Sequence, residues 1–327
     1  MRPLRVLVGA VLLAALAACG SAEGAGAGSA RDASKSAAPF RTVRHAMGET
    51  VIPSRPKRVV ALDQSFVDAV LTLETPVVGY TTYRSIETKL PGYLGPVVER
   101  YGQEATSVGT LEQPSLEKIM ALKPDLIVSA KVRHEALYDR LSKIAPTVFS
   151  ETTGAIWKDN LRLMGQALGK EDLAEARIKA YEERAAAIGR EIKEKEGELP
   201  TISIVRFAGE PTTRLYVENS YSGVVLKDVG FPRPEGQPTA QDAIAVNVSQ
   251  ERIADLDADH IFVATYPDPA SDGPKQKFVG NPLWAKLKGK KHEVSDLTWM
   301  TAVGIQGAHA MLDDVAEIFG VDPAKTS

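Results

Sequence analysis

Twice along this chain, short apolar runs alternate with longer helical patterns, and that double alternation constrains the fold more than any other feature. The first series opens with an extended run at 58–62 (RVVAL), followed by a helical pattern over 65–73. Extended runs at 76–80 (PVVGY), 125–129 (DLIVS) and 146–149 (PTVF) follow, with a helical stretch at 116–122 among them. Strands that are apolar on both faces and separated by helices predict a parallel sheet covered on each side. The alternation restarts at 201–205 (TISIV) and continues through 224–229, 251–256, 260–264 (HIFVA) and a closing helix over about 308–319. The chain therefore reads as α/β, with two doubly wound lobes and mainly parallel sheets.

Between the two series lies 171–196, with one glycine (Gly189) and no proline. As a single helix it is about 39 Å long, enough to bridge two lobes. Leu173, Ala176, Ala180, Ala187 and Ile188 are expected to share its buried stripe. The expected division is an N-terminal lobe over 39–170, the bridging helix over 171–197 and a C-terminal lobe over 198–327. An internal repeat supports it: 115–130 aligns without gaps on 249–264. Each copy carries a serine cap (Ser115, Ser249), an acidic residue in the first turn (Glu117, Glu251), an aspartate turn and a buried strand.

The N-terminus sets the compartment. Arg2 and Arg5 precede an apolar run from residue 6 to 17, the layout of a secretory signal and too short to span a bilayer. Leu16-Ala17-Ala18-Cys19-Gly20 is similar to the lipobox of bacterial lipoproteins, and Cys19 is the only cysteine in the chain. That likeness implies a signal peptide over 1–18, diacylglyceryl attachment at Cys19, and an extracytoplasmic protein anchored to the cell membrane. Two acyl chains hold a protein there where one is marginal. Fifteen of the nineteen residues 20–38 are Gly, Ala or Ser, so 19–38 is read as the anchored cysteine and a flexible tether. The net charge of −3 becomes −5 once Arg2 and Arg5 leave with the signal, which argues against nucleic acid as a partner.

Over roughly residues 40–322 the chain resembles the ferric-siderophore and cobalamin family of substrate-binding proteins, in which one rigid helix joins two lobes. The resemblance rests on 56–61 (PKRVVA), Val108-Gly109, 114–119 (PSLEKI), 123–127 (KPDLI), 281–284 (NPLW), Lys288-Gly289 and Val294, in that order. The stretch 215–232, with 225–232 (VLKDVGFP), is closer to the siderophore-binding members. The resemblance implies capture of an iron(III)–siderophore complex, hydroxamate type favoured, and delivery to an ABC permease dimer with its ATPase. Glutamates at the positions of Glu117 and Glu251 dock onto permease arginines in that family. A monomer is expected. No cofactor is, since the siderophore itself holds the iron.

In open α/β sheets ligands bind beyond the carboxyl ends of the strands. That rule names Gln64, Tyr80, Tyr83, Arg84, Thr110, Lys131 and Arg133 in the first lobe, and Arg206, Arg214, Tyr216, Tyr266 and Trp299 in the second. Arginine offers planar donors to chelate oxygens, and tyrosine or tryptophan offers area to apolar flanks. Haem or cobalamin is the alternative ligand. Direct metal binding is disfavoured, because His45, His134, His260, His292 and His309 show no ligand spacing. An anchored hydrolase is a further class. It finds no Gly-x-Ser-x-Gly elbow, phosphate loop or cysteine nucleophile in the folded part.

Overall fold

The computed structural model describes residues 38–83, 89–209 and 213–325. Cys19, the signal segment, the tether up to residue 37 and Arg84 lie outside the described residues. The described chain opens with an antiparallel hairpin of β1 (Arg41–His45) and β2 (Gly48–Ile52), laid against the edge of the first lobe. The first sheet is built from β3 (Val59–Ala61), β4 (Val77–Thr82), β5 (Thr106–Thr110), β6 (Leu126–Ala130) and β7 (Thr147–Ser150), in the order β5-β4-β3-β6-β7. All its pairings are parallel. The second contains β8 (Ile202–Phe207), β9 (Thr213–Tyr216), β10 (Ala245–Val248), β11 (His260–Thr265) and β12 (Lys290–Val294), in the order β10-β9-β8-β11-β12. Here β9 runs antiparallel to both neighbours and the remaining pairs are parallel. Two α/β lobes with largely parallel sheets, bridged by one helix, are what the double alternation predicts.

Side-chain alternation explains why these strands are apolar throughout. In β3, Val59 and Ala61 enter one core while Val60 enters another. In β11, Phe262 and Ala264 face the first core while Ile261 and Val263 face a third. Successive residues of a strand point to opposite faces, so a strand covered on both sides needs apolar residues at every position. The first core is continuous between the lobes, through the bridging helix, the helix Gln64–Thr72 and the C-terminal helix Ile305–Phe319.

The bridging helix spans Glu171–Glu196. Its buried stripe is not the expected one. Ala174, Ile178, Tyr181, Ala185, Ile188 and Ile192 are buried, Ala176 is exposed, and Leu173, Ala180 and Ala187 are only partly covered. The spacing is still helical, but the face is rotated so that Tyr181 and Arg184 go inward. Buried Arg184 donates to the carbonyls of Pro323 (2.8 Å) and His309 (3.0 Å) and pairs with Asp313, tying this helix to the C-terminal one. The lone glycine has a reason. A Cβ at Gly189 would lie 1.9 Å from the carbonyl oxygen of Val229, where the helix Tyr221–Val229 crosses.

The repeat corresponds to equivalent places in the two sheets. β6 and β11 each sit beside the first strand of their lobe. The repeated aspartates do the same work: Asp125 accepts from the backbone N–H groups of Lys57 (2.8 Å) and Arg58 (2.9 Å), Asp259 from that of Thr201 (2.8 Å). Each carboxylate thus fixes the entry to a neighbouring strand.

A second joint links the lobes. Asp68, wholly buried on the helix Gln64–Thr72, accepts from the backbone N–H groups of Gln306 (3.0 Å) and Gly307 (3.3 Å) at the start of the C-terminal helix. A Cβ at Gly304 would lie 2.3 Å from the Asp68 carboxyl carbon, so only glycine lets the helix end approach this closely. Burial pushes the Asp68 carboxyl up to about 7, against the lowering effect of those N–H groups.

Candidate functional site

The cleft-side ends of the strands enclose a cavity of about 330 Å³, within the range of small-molecule sites. From the first lobe it is lined by Asp63, Gln64, Tyr83, Leu111, Val132 and Arg133, together with Thr152 to Gly154 after β7. The second lobe supplies Arg206, Arg214, Tyr216, Tyr221, Ser222, Ile244 and the run Trp299, Met300, Thr301 and Val303.

Arg133 follows β6 in a short helix, Lys131–His134. Its Nε donates to Asp63 Oδ2 at 2.9 Å and its Nη2 to Thr153 at 3.3 Å. The other oxygen of Asp63 caps the helix Gln64–Thr72 by accepting from the Ser65 N–H at 2.9 Å, which immobilises the carboxylate. Gln64 donates to the Tyr93 hydroxyl at 3.0 Å. Arg206, 5% exposed, lies in β8 opposite Arg214 of β9. Cross-strand partners share a face, and Tyr216, two residues on from Arg214, shares it too. Arg206 makes a bidentate pair with buried Asp296 at 2.6 and 2.8 Å and donates to the Tyr216 hydroxyl at 3.0 Å. Burial opposes its charge, but Tyr216 and Asp296 outweigh that and hold the guanidinium firmly protonated. Of its five N–H donors these bonds use three. The wall Leu297–Thr301 is a π-helical turn, and Val303 just after it has φ +46°. A β-branched residue in that region is strained, and such strain concentrates at functional walls.

Of the residues named from sequence, the structure brings Gln64, Tyr83, Arg133, Arg206, Arg214, Tyr216 and Trp299 around this cavity. Four others do not line it. Tyr80 is still inside β4 and its ring is turned into the core, 2% exposed, whereas Tyr83 lies beyond the strand end. Thr110 is exposed and accepts from the Gln113 N–H at 3.1 Å, shaping the turn before the next helix. Lys131 pairs with Glu151 at 3.3 Å. Tyr266, partly buried, continues the β8–β11 ladder through its backbone N–H to Phe207 O at 2.8 Å. Trp299 is a wall rather than an exposed platform. It is fully buried against Phe262, and its indole N–H donates to Asp314 at 2.7 Å. Sequence reasoning missed Asp63 and Asp296. The available signal was their position two residues beyond the ends of β3 and β12.

Glu117 and Glu251 are exposed, each in the first helical turn after an edge strand, β5 and β10. Both strands run parallel to the first strand of their sheets, so both glutamates lie at the cleft-side ends. Their caps differ. Ser115 accepts from the Lys118 N–H at 3.3 Å, while the Ser249 hydroxyl bonds to Glu251 and lowers its pKa. Among the histidines, His260 and His292 stack with ring nitrogens 2.9 Å apart and do not line the cavity. Among the described residues no cluster of His, Cys, Asp or Glu is placed to hold a metal ion, and no helix is long and apolar enough to cross a membrane.

Comparison with known proteins decides the family, because the sequence profile described as periplasmic binding protein matches residues 59–297. The chain belongs to the periplasmic binding protein family. It is similar to the probable siderophore-binding lipoprotein YfiY of Bacillus subtilis, 35% identical over 93% of this chain and 94% of that protein. It also resembles the achromobactin-binding periplasmic protein of Dickeya dadantii, 31% identical over 81% and 87% of the two chains. Among solved structures, Staphylococcus aureus SirA complexed with staphyloferrin B superposes with a TM-score of 0.76 at 32% identity, covering 86% of this chain and 99% of that one. As a member of this family the chain is an extracytoplasmic substrate-binding lipoprotein of an ABC importer, and not an enzyme.

Proposed function

We propose that this cleft captures an iron(III)–siderophore complex, hydroxamate type favoured, and presents it to a dimeric membrane permease served by an ATPase. One observation carries the reading: Arg133 from one lobe and Arg206 and Arg214 from the other converge on a single cavity with Tyr83 and Tyr216. Arginine donors suit the oxygens of a chelate whose iron is already fully coordinated, so the protein needs no metal ligands of its own. Val132 and Ile244, 61% and 48% exposed, line the same cavity from opposite lobes. They offer apolar contact to the organic flanks of a hydroxamate ligand. The siderophore-binding relatives support the ligand class.

Glu117 and Glu251 are proposed as a matched pair of docking carboxylates, one per lobe. Cys19 is proposed as the lipidated residue, and Cys19→Ala is expected to move the protein from the membrane to the soluble fraction.

The deciding experiment is a tryptophan-fluorescence titration against a ferric trihydroxamate, ferric citrate, a ferric tris-catecholate, haem and cobalamin. Trp299, in the cavity wall, is expected to be quenched saturably by the trihydroxamate. Saturation by haem or cobalamin alone would sink the siderophore reading.

A further inference from the structure

In each lobe one of the cavity's arginines, Arg133 in the first and Arg206 in the second, arrives with a carboxylate from its own lobe. Arg133 is held by Asp63 at 2.9 Å, and Arg206 by Asp296 at 2.6 and 2.8 Å. The carboxylates are the better-buried partners: the side chain of Asp63 is 7% exposed and that of Asp296 1%. Neither is mobile. Asp63 is also the cap of the helix Gln64–Thr72, and Asp296 also accepts from the Thr301 hydroxyl at 3.3 Å. Each guanidinium keeps further N–H donors beyond those its carboxylate takes. The net field of each pair is nevertheless small, because a negative charge within hydrogen-bond distance cancels most of the positive one.

We propose that Asp63 and Asp296 are specificity-determining residues: each aims one arginine and neutralises it, so that the cleft favours ferric chelates of low net charge and discriminates against polyanionic ones. A site built to attract a triply anionic chelate gains from uncompensated arginines. At Arg133 and Arg206 the donors are present with their charge largely spent. Recognition then rests on directed hydrogen bonds, and wrong partners are rejected by carboxylates behind the donors. This rests on the proposed siderophore reading of the cleft.

The test compares wild type, Asp63→Asn and Asp296→Asn in titrations with an uncharged ferric trihydroxamate and a triply anionic ferric tris-catecholate, at low and high salt. Asparagine keeps an acceptor toward the arginine and removes the negative charge. Wild type is expected to favour the trihydroxamate. In each variant the affinity ratio should move toward the tris-catecholate by about tenfold or more at low salt, and the movement should shrink at high salt. Asp296→Glu, which restores the charge, should return the wild-type ratio. Asp63→Asn keeps the test decisive if loss of the more buried Asp296 carboxylate impairs folding. A parallel fall for both chelates, with the ratio unchanged, would show that the carboxylates only hold structure. A wild type that prefers the tris-catecholate would also overturn the proposal. Wild type binding neither chelate would instead overturn the underlying reading of the cleft.

Discussion

In the first lobe β3 and β4 are joined by a crossover helix and run parallel, whereas in the second β8 and β9 pair as antiparallel neighbours. The outer strands β5 and β10 nevertheless end on the same side, and β6 and β11 hold the same place. The consequence lies in how arginine reaches the cleft. Arg133 stands on a short helix beyond its strand, with its side chain 34% exposed. Arg206 is part of a strand, 6% exposed, because its antiparallel partner begins at the cleft and covers it with Arg214 and Tyr216. The difference in topology thus leaves one arginine beyond its sheet and partly exposed, and buries the other within its sheet. A ligand seated between them meets a partly solvated arginine on one side and a buried one on the other.

Three measurements would break or sharpen that contrast. The largest effect is expected from Arg206→Ala, which strands Asp296 as an unpaired buried charge. Breaking a buried pair from one side costs about 3–5 kcal/mol. Arg133→Ala should cost less, because Arg133 is itself 34% exposed and buried Asp63 keeps its bonds from the Ser65 N–H and hydroxyl. Both should weaken chelate binding about tenfold or more, the loss associated with a charge-assisted hydrogen bond. Equal stability losses in denaturant melts would mean that the two arginines are not differently embedded.

An intermediate effect is expected at the joint between the lobes. Burial raises the folded pKa of Asp68 to about 7, from an ordinary value of 3.8. Its folded state therefore holds the proton more tightly than the unfolded chain. That contribution to stability is complete below pH 3.8 and is lost as pH rises through 7. The neighbouring Tyr93 and Tyr221 hydroxyls are themselves pushed well up, by burial first and then by Asp68, and stay neutral across this range. His260 and His309 act in the opposite sense. Burial lowers both to about 4 from 6.5, so their contribution is present above pH 6.5 and lost as pH falls through 4. Asp68→Asn should remove the loss on the rising side, so that its melting temperature relative to wild type improves from pH 5 to pH 8. A difference that stays constant with pH would show that Asp68 does not change protonation in this range.

The smallest effect on ligand affinity is expected from Glu117→Arg combined with Glu251→Arg, which alter the two lobes at equivalent exposed places. Chelate binding should stay near wild type while permease association is lost, since rim charges set orientation and encounter rate. Wild-type uptake by the double variant would place the docking surface elsewhere.

The periodic part of this molecule is legible in the sequence. Fully apolar strands such as 125–129 and 260–264 announce a sheet covered on both faces, and an uninterrupted 26-residue helical pattern announces the bridge. Whereas the β1–β2 hairpin and strands β5, β9, β10 and β12 lie outside that alternation, the elements that the alternation names, the aspartate turns and the carboxyl-end loops follow from the same local rules. They depend on residues close together in sequence, whose preferences are set by short-range sterics and side-chain alternation. Three further things could not be reached that way. Tyr80 and Tyr83 are both plausible cleft residues until the end of β4 decides which one leaves the sheet. The buried face of the bridge was misassigned by a partial turn, because alanine is accepted inside or outside and the arrival of Tyr181 and Arg184 at the C-terminal helix decides the rotation. The carboxylates that orient the arginines lie 70 and 90 residues from their partners. No periodicity joins residues so far apart. Only the closed sheets, which fix where each strand ends in space, bring Asp63 to Arg133 and Asp296 to Arg206.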